Sequence, residues 1–389
     1  MATPRKPRLA IVVSHPIQYY APLYRRLAER GLIDLHVVYL SDAGAKEHVD
    51  HGFGRTLAWD LPMLEGYAYT ILQPGSDING RSFWSLHEAR LGVVLEGLSP
   101  DWILVYGYAT RMNWAAVHWA KRSGVRVAYT SDSNIHDPKR AWVKPFKRLV
   151  LRYFFASVDV FLSTSEANMA YLVAFGARSE RIHRLPFAID VGRFRSKATE
   201  PGEDRPYDFI WAGKFIPLKR AGDFLMALAK VATAMGRPVK VCIAGDGPLR
   251  TAIEAQAAQL PAECVVTFLG FVNQAGMPDA LRLAHALVLS SDREAYGLIA
   301  AEAAATGLAL VVSDRVGCVG ATVLARPGVN ALTYRAGDTD GLAAAMQTLL
   351  VDTARRTQMQ RLSSEIAQLQ DMDYAAEVIE QVLRAGEKT

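Results

Sequence analysis

Short apolar runs alternate with amphipathic stretches along nearly the whole chain, and this alternation constrains the fold more than any other feature. Strands are expected at Leu9–Val13, Leu35–Leu40, Trp102–Tyr106, Val125–Tyr129, Val160–Ser163 and Ile182–Leu185. Between them, helical periodicity is expected over Ala21–Arg30, His87–Gly97 and Arg111–Ser123. A strand that is apolar on both faces, followed by an amphipathic helix, implies right-handed βαβ units and a buried parallel sheet. The fold class is therefore α/β.

Residues 195–206, RSKATEPGEDRP, break this texture: they hold charges, Gly and Pro but almost no large apolar side chain. Such composition suggests a linker. The alternation then restarts with strands at Tyr207–Trp211, Val239–Ile243, Val265–Leu269, Ala286–Leu289 and Leu308–Val312. Helices are expected from about 218, from Gly247, near Met277 and from about Gly297, and further helical patterns close the chain. The 389 residues are thus read as two doubly wound, Rossmann-like domains, 1–194 and 207–370, with the last helix, about 373–389, packing back on the first. Ligands of open parallel sheets bind beyond the strands' carboxyl ends, so a cleft between two such domains is the expected site.

Charge is uneven. Residues 1–200 carry 26 Lys/Arg against 18 Asp/Glu, while the remainder carries 18 against 21. A basic half suits an anionic partner, and a solvated surface gives the same imbalance. Three cysteines, Cys242, Cys264 and Cys318, have no metal-ligand spacing and fit a reducing compartment. The N-terminal apolar run is too short for a signal-peptide core, and no run of 18 apolar residues exists. A cytoplasmic protein is expected, with any membrane contact peripheral.

Three strand-to-helix loops carry candidate chemistry. Gly213 lets the backbone of 211–220, WAGKFIPLKR, approach a ligand, while Lys214 and Lys219 supply charge beside a helix start suited to phosphate. An ordinary turn with exposed lysines reads the same way. Gly245, Asp246 and Gly247 open a second loop, in which Asp246 could cap the next helix and Pro248 suits its first turn. The third, Ser290–Leu298, enters a helix rich in alanine that nevertheless contains Glu302. A carboxylate there needs a partner, because a buried unpaired charge is costly. Glu302 lies one helical turn from Leu298, and Glu294 lies on the loop before it, so both can flank a ligand at the helix N-terminus. The amides of Gly297 and Leu298 would take phosphate and the carboxylates would take sugar hydroxyls.

The segment 294–302, EAYGLIAAE, is an E-x7-E motif. Together with GKFIPLKR, GDGPLR, FLGFV and GLALVVSD, in sequence context, it resembles glycosyltransferase family 4, of GT-B architecture. The specific motifs cover about residues 207–350, and the first half matches in general layout. The resemblance implies that Lys214, where the family usually has Arg, and Lys219 neutralise a donor diphosphate. It implies that Gly213, Gly245 and Gly247 lie near the donor, that the backbone at Phe271 and Val272 reads the nucleobase, and that Tyr296 binds the donor together with the phosphate-binding amides of Gly297 and Leu298. Glu294 would hold the transferred sugar and Glu302 the ribose. Asp132 or His136, on the loop TSDSNIHD, would lie near the anomeric carbon; a polar loop with Asp137 capping a helix is the alternative.

The first half departs from the family's Gly-Gly turn after strand one. It has Ser14-His15-Pro16-Ile17-Gln18-Tyr19-Tyr20 instead, making His15, Gln18 and Tyr19 the acceptor-side candidates. Family membership implies a retaining enzyme without a cofactor, using a nucleotide-sugar, by default UDP-linked, and a glycan or lipid-linked acceptor. No Asp-x-Asp is well placed for a divalent cation: Asp371-Met372-Asp373 lies in the helical tail and Asp338-Thr339-Asp340 starts a helix. The stretch 138–155, PKRAWVKPFKRLVLRYFF, is basic and aromatic without an acid. It reads as a helix lying on an anionic membrane or as a surface helix with its aromatics in the core. Nucleic acid is not expected as a partner. A sugar-nucleotide epimerase of the same architecture and a non-catalytic nucleotide-sugar-binding subunit are the alternative functions.

Overall fold

The computed structural model describes residues 5–385 apart from 51, 77–81, 137–142, 197 and 199. In chain order the first half contains β1 (Arg8–Val13), α1 (Ala21–Arg30), β2 (Asp34–Tyr39), β3 (His48–Asp50), β4 (Arg55–Leu57), β5 (Ala68–Ile71), α2 (Leu91–Leu98), β6 (Trp102–Tyr106), α3 (Arg111–Arg122), β7 (Arg126–Ser131), α4 (Val143–Phe155), β8 (Val160–Ser163), α5 (Glu166–Ala174), β9 (Ile182–Arg184) and α6 (Val191–Arg195). The second half continues with β10 (Tyr207–Ala212), α7 (Ala221–Met235), β11 (Val239–Ala244), α8 (Arg250–Ala257), β12 (Cys264–Gly270), α9 (Met277–Leu281), β13 (Ala284–Leu289), α10 (Leu298–Ala305), β14 (Ala309–Ser313), β15 (Ala331–Tyr334), α11 (Thr339–Val351), α12 (Thr353–Ala367) and α13 (Met372–Ala385).

The chain divides into two compact units. The first holds Met1–His48, Leu61–Ala188 and Met372–Thr389; the second holds Val49–Asp60 and Ile189–Asp371. In the first unit a parallel sheet runs β5-β2-β1-β6-β7-β8-β9. Its central strands are apolar without alternation because helices cover both faces: Ala10 and Val12 of β1 face one cluster, and Leu9, Ile11 and Val13 face the other. Helix α13 completes the second cluster with Ala375, Ala376, Ile379 and Leu383. Its acids Asp373 and Glu380 take Arg26 and Arg30 of α1 at 2.6 and 2.9 Å.

In the second unit the parallel sheet runs β12-β11-β10-β13-β14-β15. Phe224, Leu225, Leu228 and Val231 of α7 are buried against it, and each such side chain contributes about 1.5–3 kcal/mol. Arg205, near the end of the charged stretch, packs into this unit. Arg205 is buried and donates to the carbonyls of Ala284 and Gly307 at 2.7 and 3.2 Å. Burial lowers its pKa to about 10.

Several helix starts differ from the periodicity. Helix α2 begins at Leu91 rather than His87, because His87 and Glu88 are engaged by the Gln73 amide, at 3.1 Å each. Helix α8 begins at Arg250 rather than Gly247. Asp246 does not cap it; its carboxylate accepts from the Gly247 amide at 2.9 Å and from the Arg250 guanidinium at 3.3 Å. Near 218 the chain first makes a single 3₁₀ turn, Pro217–Lys219, and α7 starts only after Arg220, whose φ of 51° is left-handed.

Candidate functional site

In each sheet the strand order reverses beside the first strand of that sheet, and loops on either side of such a switch point splay apart to leave a crevice. In the second unit the switch lies between β10 and β13, so the loops at Gly213–Arg220 and Ser290–Gly297 face each other. They are tied together. Asp292 N donates to the Leu218 carbonyl at 2.8 Å, and the buried Ser290 hydroxyl reaches the carbonyls of Lys219 and Arg220 at 3.0 Å. Trp211 Nε1 donates to the same hydroxyl at 2.9 Å.

This scaffold sets Lys219 against Glu294. Their ammonium and carboxylate meet at 2.6 Å, with side chains 20% and 11% exposed, and the Ser291 hydroxyl donates to Glu294 Oε1 at 2.6 Å. The Glu294 backbone is pinned independently, its amide donating to the Arg315 carbonyl and its carbonyl accepting from Gly317, both at 3.2 Å. Gly297 follows with φ 94°, where a Cβ would meet Val316 Cγ1 at 2.7 Å. The left-handed turn opens α10, whose first amides at Leu298 and Ile299 lie outside the helical ladder and carry its positive dipole end. Tyr296, expected to bind the donor, is buried, and its hydroxyl donates to Gln370 Oε1 at 2.5 Å.

Glu302 is buried within α10, at 3% exposure. Burial pushes its carboxyl up to about 7, opposed by the charge of Arg193 on α6. Arg193 was not a candidate by sequence. Its guanidinium also donates to the side chain and backbone carbonyls of Gln274 at 3.2 and 3.3 Å, and so fixes the loop after β12. The signal was one arginine beside a stretch of linker-like composition, which gives no cue to its partner.

The glycine loops pack backbone to backbone. A Cβ on Gly245 would lie 2.0 Å from the Gly213 carbonyl oxygen, and one on Gly247, at φ 150°, would lie 2.8 Å from the Phe215 amide. These glycines therefore bring the loops after β10 and β11 into one wall. The Gly245 amide donates to the Gly270 carbonyl at 2.8 Å, which joins the start of the loop after β12, where Phe271 and Val272 follow, to that wall. Lys214 is paired with Asp50, Nζ lying 2.8 and 2.9 Å from its two carboxylate oxygens. Burial raises the Asp50 pKa, but Lys214 and two backbone amides outweigh it and the net shift is downward.

In the first unit the switch lies between β1 and β6. His15, Gln18 and Tyr19 occupy the loop after β1, all half-buried. His15 Nδ1 lies 2.9 Å from the Ser14 hydroxyl, and burial, helped by His48, lowers its pKa to about 4, so it is neutral at physiological pH. Tyr19 meets Phe187 edge-on. Asp132 is exposed on the loop after β7, near enough for its charge to raise the Tyr20 pKa, after burial and Tyr106. His136 is half-buried, its amide donating to Asn134 Oδ1 at 2.9 Å. Asp137 and residues 138–142 lie outside the described residues. Helix α4 divides its side chains: Leu151, Phe154 and Phe155 are in the core, whereas Phe146, Leu149 and Tyr153 are about 70% exposed. Among the described residues no cluster of three metal-ligating side chains occurs, and no helix is long and apolar enough to cross a membrane.

Two Rossmann-like units, each a parallel sheet with its own switch-point crevice, are the architecture of the GT-B class. Solved structures agree at the level of fold: Anabaena HepE in complex with UDP aligns with TM-score 0.73 at 16% identity, over 97% of this chain and all of that one. Sucrose-phosphate synthase from Thermosynechococcus elongatus aligns with TM-score 0.71 at 18% identity, over 97% and 98%. The model for "Glycosyl transferase 4-like domain" matches residues 16–188, and that for "Glycosyl transferases group 1" matches residues 193–365. The chain belongs to glycosyltransferase family 4. Glycogen synthase of Mycobacterium tuberculosis is 30% identical over 197 residues, 49% of this chain and 46% of the relative. D-inositol 3-phosphate glycosyltransferase of Nocardia farcinica is 26% identical over 273 residues, 65% and 58%. The matches to the first curated relatives span about half the length of those proteins.

Proposed function

We propose that the chain transfers a hexose-type sugar from a nucleotide-sugar, UDP-linked by default, to a glycan or lipid-linked acceptor with retention of configuration, in cell-surface polysaccharide or glycoconjugate synthesis. The observation that carries this reading is the meeting of Lys219, Glu294 and the start of α10 at the switch point, with Glu302 inside the same helix. The UDP held by Anabaena HepE supports the choice of nucleotide.

In this mechanism the ribose hydroxyls donate to Glu302, the nucleobase meets the backbone at Phe271 and Val272, and the transferred sugar donates to Glu294. As the bond from the anomeric carbon to the diphosphate oxygen breaks, negative charge grows on the leaving group. Lys214, Lys219 and the amides of Gly297 and Leu298 stabilise it, the role that a divalent cation would otherwise take. The acceptor oxygen bonds the anomeric carbon from the face that the diphosphate leaves, and its proton passes to the departing phosphate oxygen. Atoms and charge balance with no cofactor. His15, Gln18, Tyr19, Asp132 and His136 are the acceptor-side residues of this reading, with neutral His15 suited to hydrogen bonding and not to charge. The exposed Phe146, Leu149 and Tyr153, flanked by the exposed Arg148 and Arg152, suit peripheral contact with an anionic membrane that carries a lipid-linked acceptor.

Lys219→Ala and Glu294→Ala test the donor site. Each is expected to lower transfer or donor hydrolysis by about 10²-fold or more, the loss seen when a group acting on the transition state is removed, with the circular dichroism spectrum unchanged. Full activity in both variants would remove the proposed site.

A further inference from the structure

The segment Val49–Asp60 is far in sequence from the donor loops yet belongs to the same unit. Its described residues contact the loops after β10, β11 and β12. Asp50 holds Lys214 of the loop after β10, and a Cβ on Gly52 would lie 2.6 Å from the Lys214 side chain, so glycine is what lets the lysine stem lie across it. Arg55 lies 3.7 Å from Asp246 of the loop after β11 and stacks over Phe271 of the loop after β12, at 4.9 Å. Further along, Asn273 donates to the Ala58 carbonyl at 2.9 Å, and the Ala275 amide donates to the Asp60 carboxylate at 3.1 Å.

The surroundings of the Asp50 carboxylate are those of a bound anion. It accepts the amides of Gly52 and Phe53 at 2.8 and 3.0 Å as well as both contacts from the Lys214 ammonium. Two convergent backbone amides and a lysine are a set that holds phosphate oxygens as readily as a carboxylate. We propose that Asp50 is an internal stand-in for donor phosphate: it holds Lys214 in position, and the diphosphate of the incoming nucleotide displaces it from the ammonium. The proposal rests on the donor reading of Lys214 given above. Its consequence is a donor site whose affinity is set by residues 49–60. The carboxylate keeps Lys214 ordered and neutralised, and each nucleotide bound must compete with it.

Asp50→Asn isolates the charge, because the amide oxygen still accepts the Gly52 and Phe53 amides and the turn is kept. Calorimetry with UDP on the full chain is expected to show binding tightened roughly fivefold to tenfold at low salt, a gain that shrinks as salt screens the pair. Uridine, which has no phosphate, should bind Asp50→Asn and the unaltered protein equally. In a Lys214→Met background, Asp50→Asn should leave the UDP affinity unchanged. Should Lys214→Met weaken UDP binding while Asp50→Asn leaves it within twofold, the stand-in role is refuted and the donor reading survives. Equal shifts for UDP and uridine would also refute it, since a structural role through Phe53 and Arg55 would move both. Failure of the unaltered protein to bind either UDP or GDP would overturn the donor reading, and the stand-in role with it.

Discussion

Glu302 offers a test in which stability and ligand binding must move in opposite directions. Its folded pKa of about 7 against an ordinary 4.5 means that the folded protein holds this proton more tightly than the unfolded chain does. The sign follows by linkage. The group's stabilising contribution is fully present below about pH 4.5 and is lost as pH rises through about 7. Above that, the folded state carries a buried carboxylate at a cost of about 3 kcal/mol, from 1.36 kcal/mol per pKa unit. Glu302→Gln is neutral throughout, so at pH 8 it should exceed the unaltered protein in stability by up to about that amount, and at pH 5 the advantage should shrink to about 1 kcal/mol or less. Hydrogen exchange of the α10 amides at pH 5, 6, 7 and 8 reads the second unit alone, which avoids assuming that both units unfold together. Nucleotide binding should respond the other way. A hydrogen bond to a carboxylate contributes about 1.5–3 kcal/mol against about 0.5–1.5 to a neutral group, so Glu302→Gln should weaken UDP binding by roughly fivefold to tenfold at pH 8. Below about pH 7 the unaltered protein should lose more affinity than the variant, because its binding must also expel the Glu302 proton. A stability difference that is constant from pH 5 to 8 would refute the linkage, and an unchanged UDP affinity would refute the ribose role.

Gly297→Ala forces a Cβ into a left-handed position 2.7 Å from Val316, and should destabilise the second unit by about 2–3 kcal/mol in a urea or thermal melt. A variant as stable as the parent would show that the turn opening α10 is not constrained as described. Replacing Phe146, Leu149 and Tyr153 together by Ser should abolish co-sedimentation with anionic vesicles at low salt while leaving the melt unchanged, because all three side chains are exposed. Absence of vesicle binding by the unaltered protein would remove the membrane role.

The parts of this fold that were legible in the sequence are those whose cause is local. A parallel strand covered on both faces must be a short apolar run, so β1, β6, β10 and β13 stand out, and a charged residue in an alanine-rich helix marks Glu302 at once. Helix starts were less legible because they depend on which side-chain partner wins, near or far in the chain. Periodicity cannot see that the Gln73 amide occupies His87 and Glu88, or that Asp246 turns to Arg250 and its own neighbour's amide instead of capping. Arg205 shows the same limit. By composition it belongs to a polar linker, yet two carbonyls, at Ala284 and Gly307, take its guanidinium into the interior. Asp50 was invisible for a further reason: nothing in a carboxylate beside two glycines signals a partner 164 positions away.

Both lysines assigned to the diphosphate are held by carboxylates, Lys214 by Asp50 and Lys219 by Glu294, and the two pairs have different chemical consequences. Under the proposed donor reading, the sugar end of the donor replaces Lys219 as partner for Glu294, while the phosphate end replaces Glu294 as partner for Lys219. An intact nucleotide-sugar therefore supplies new partners to both halves of the exchange, whereas a nucleoside diphosphate alone offers no sugar hydroxyl to Glu294. Asp50 has no such second partner in the donor, but it keeps the Gly52 and Phe53 amides when Lys214 leaves. The Lys219–Glu294 pair thus favours the intact donor over the spent nucleotide. On the same reading the Lys214–Asp50 pair competes with both equally.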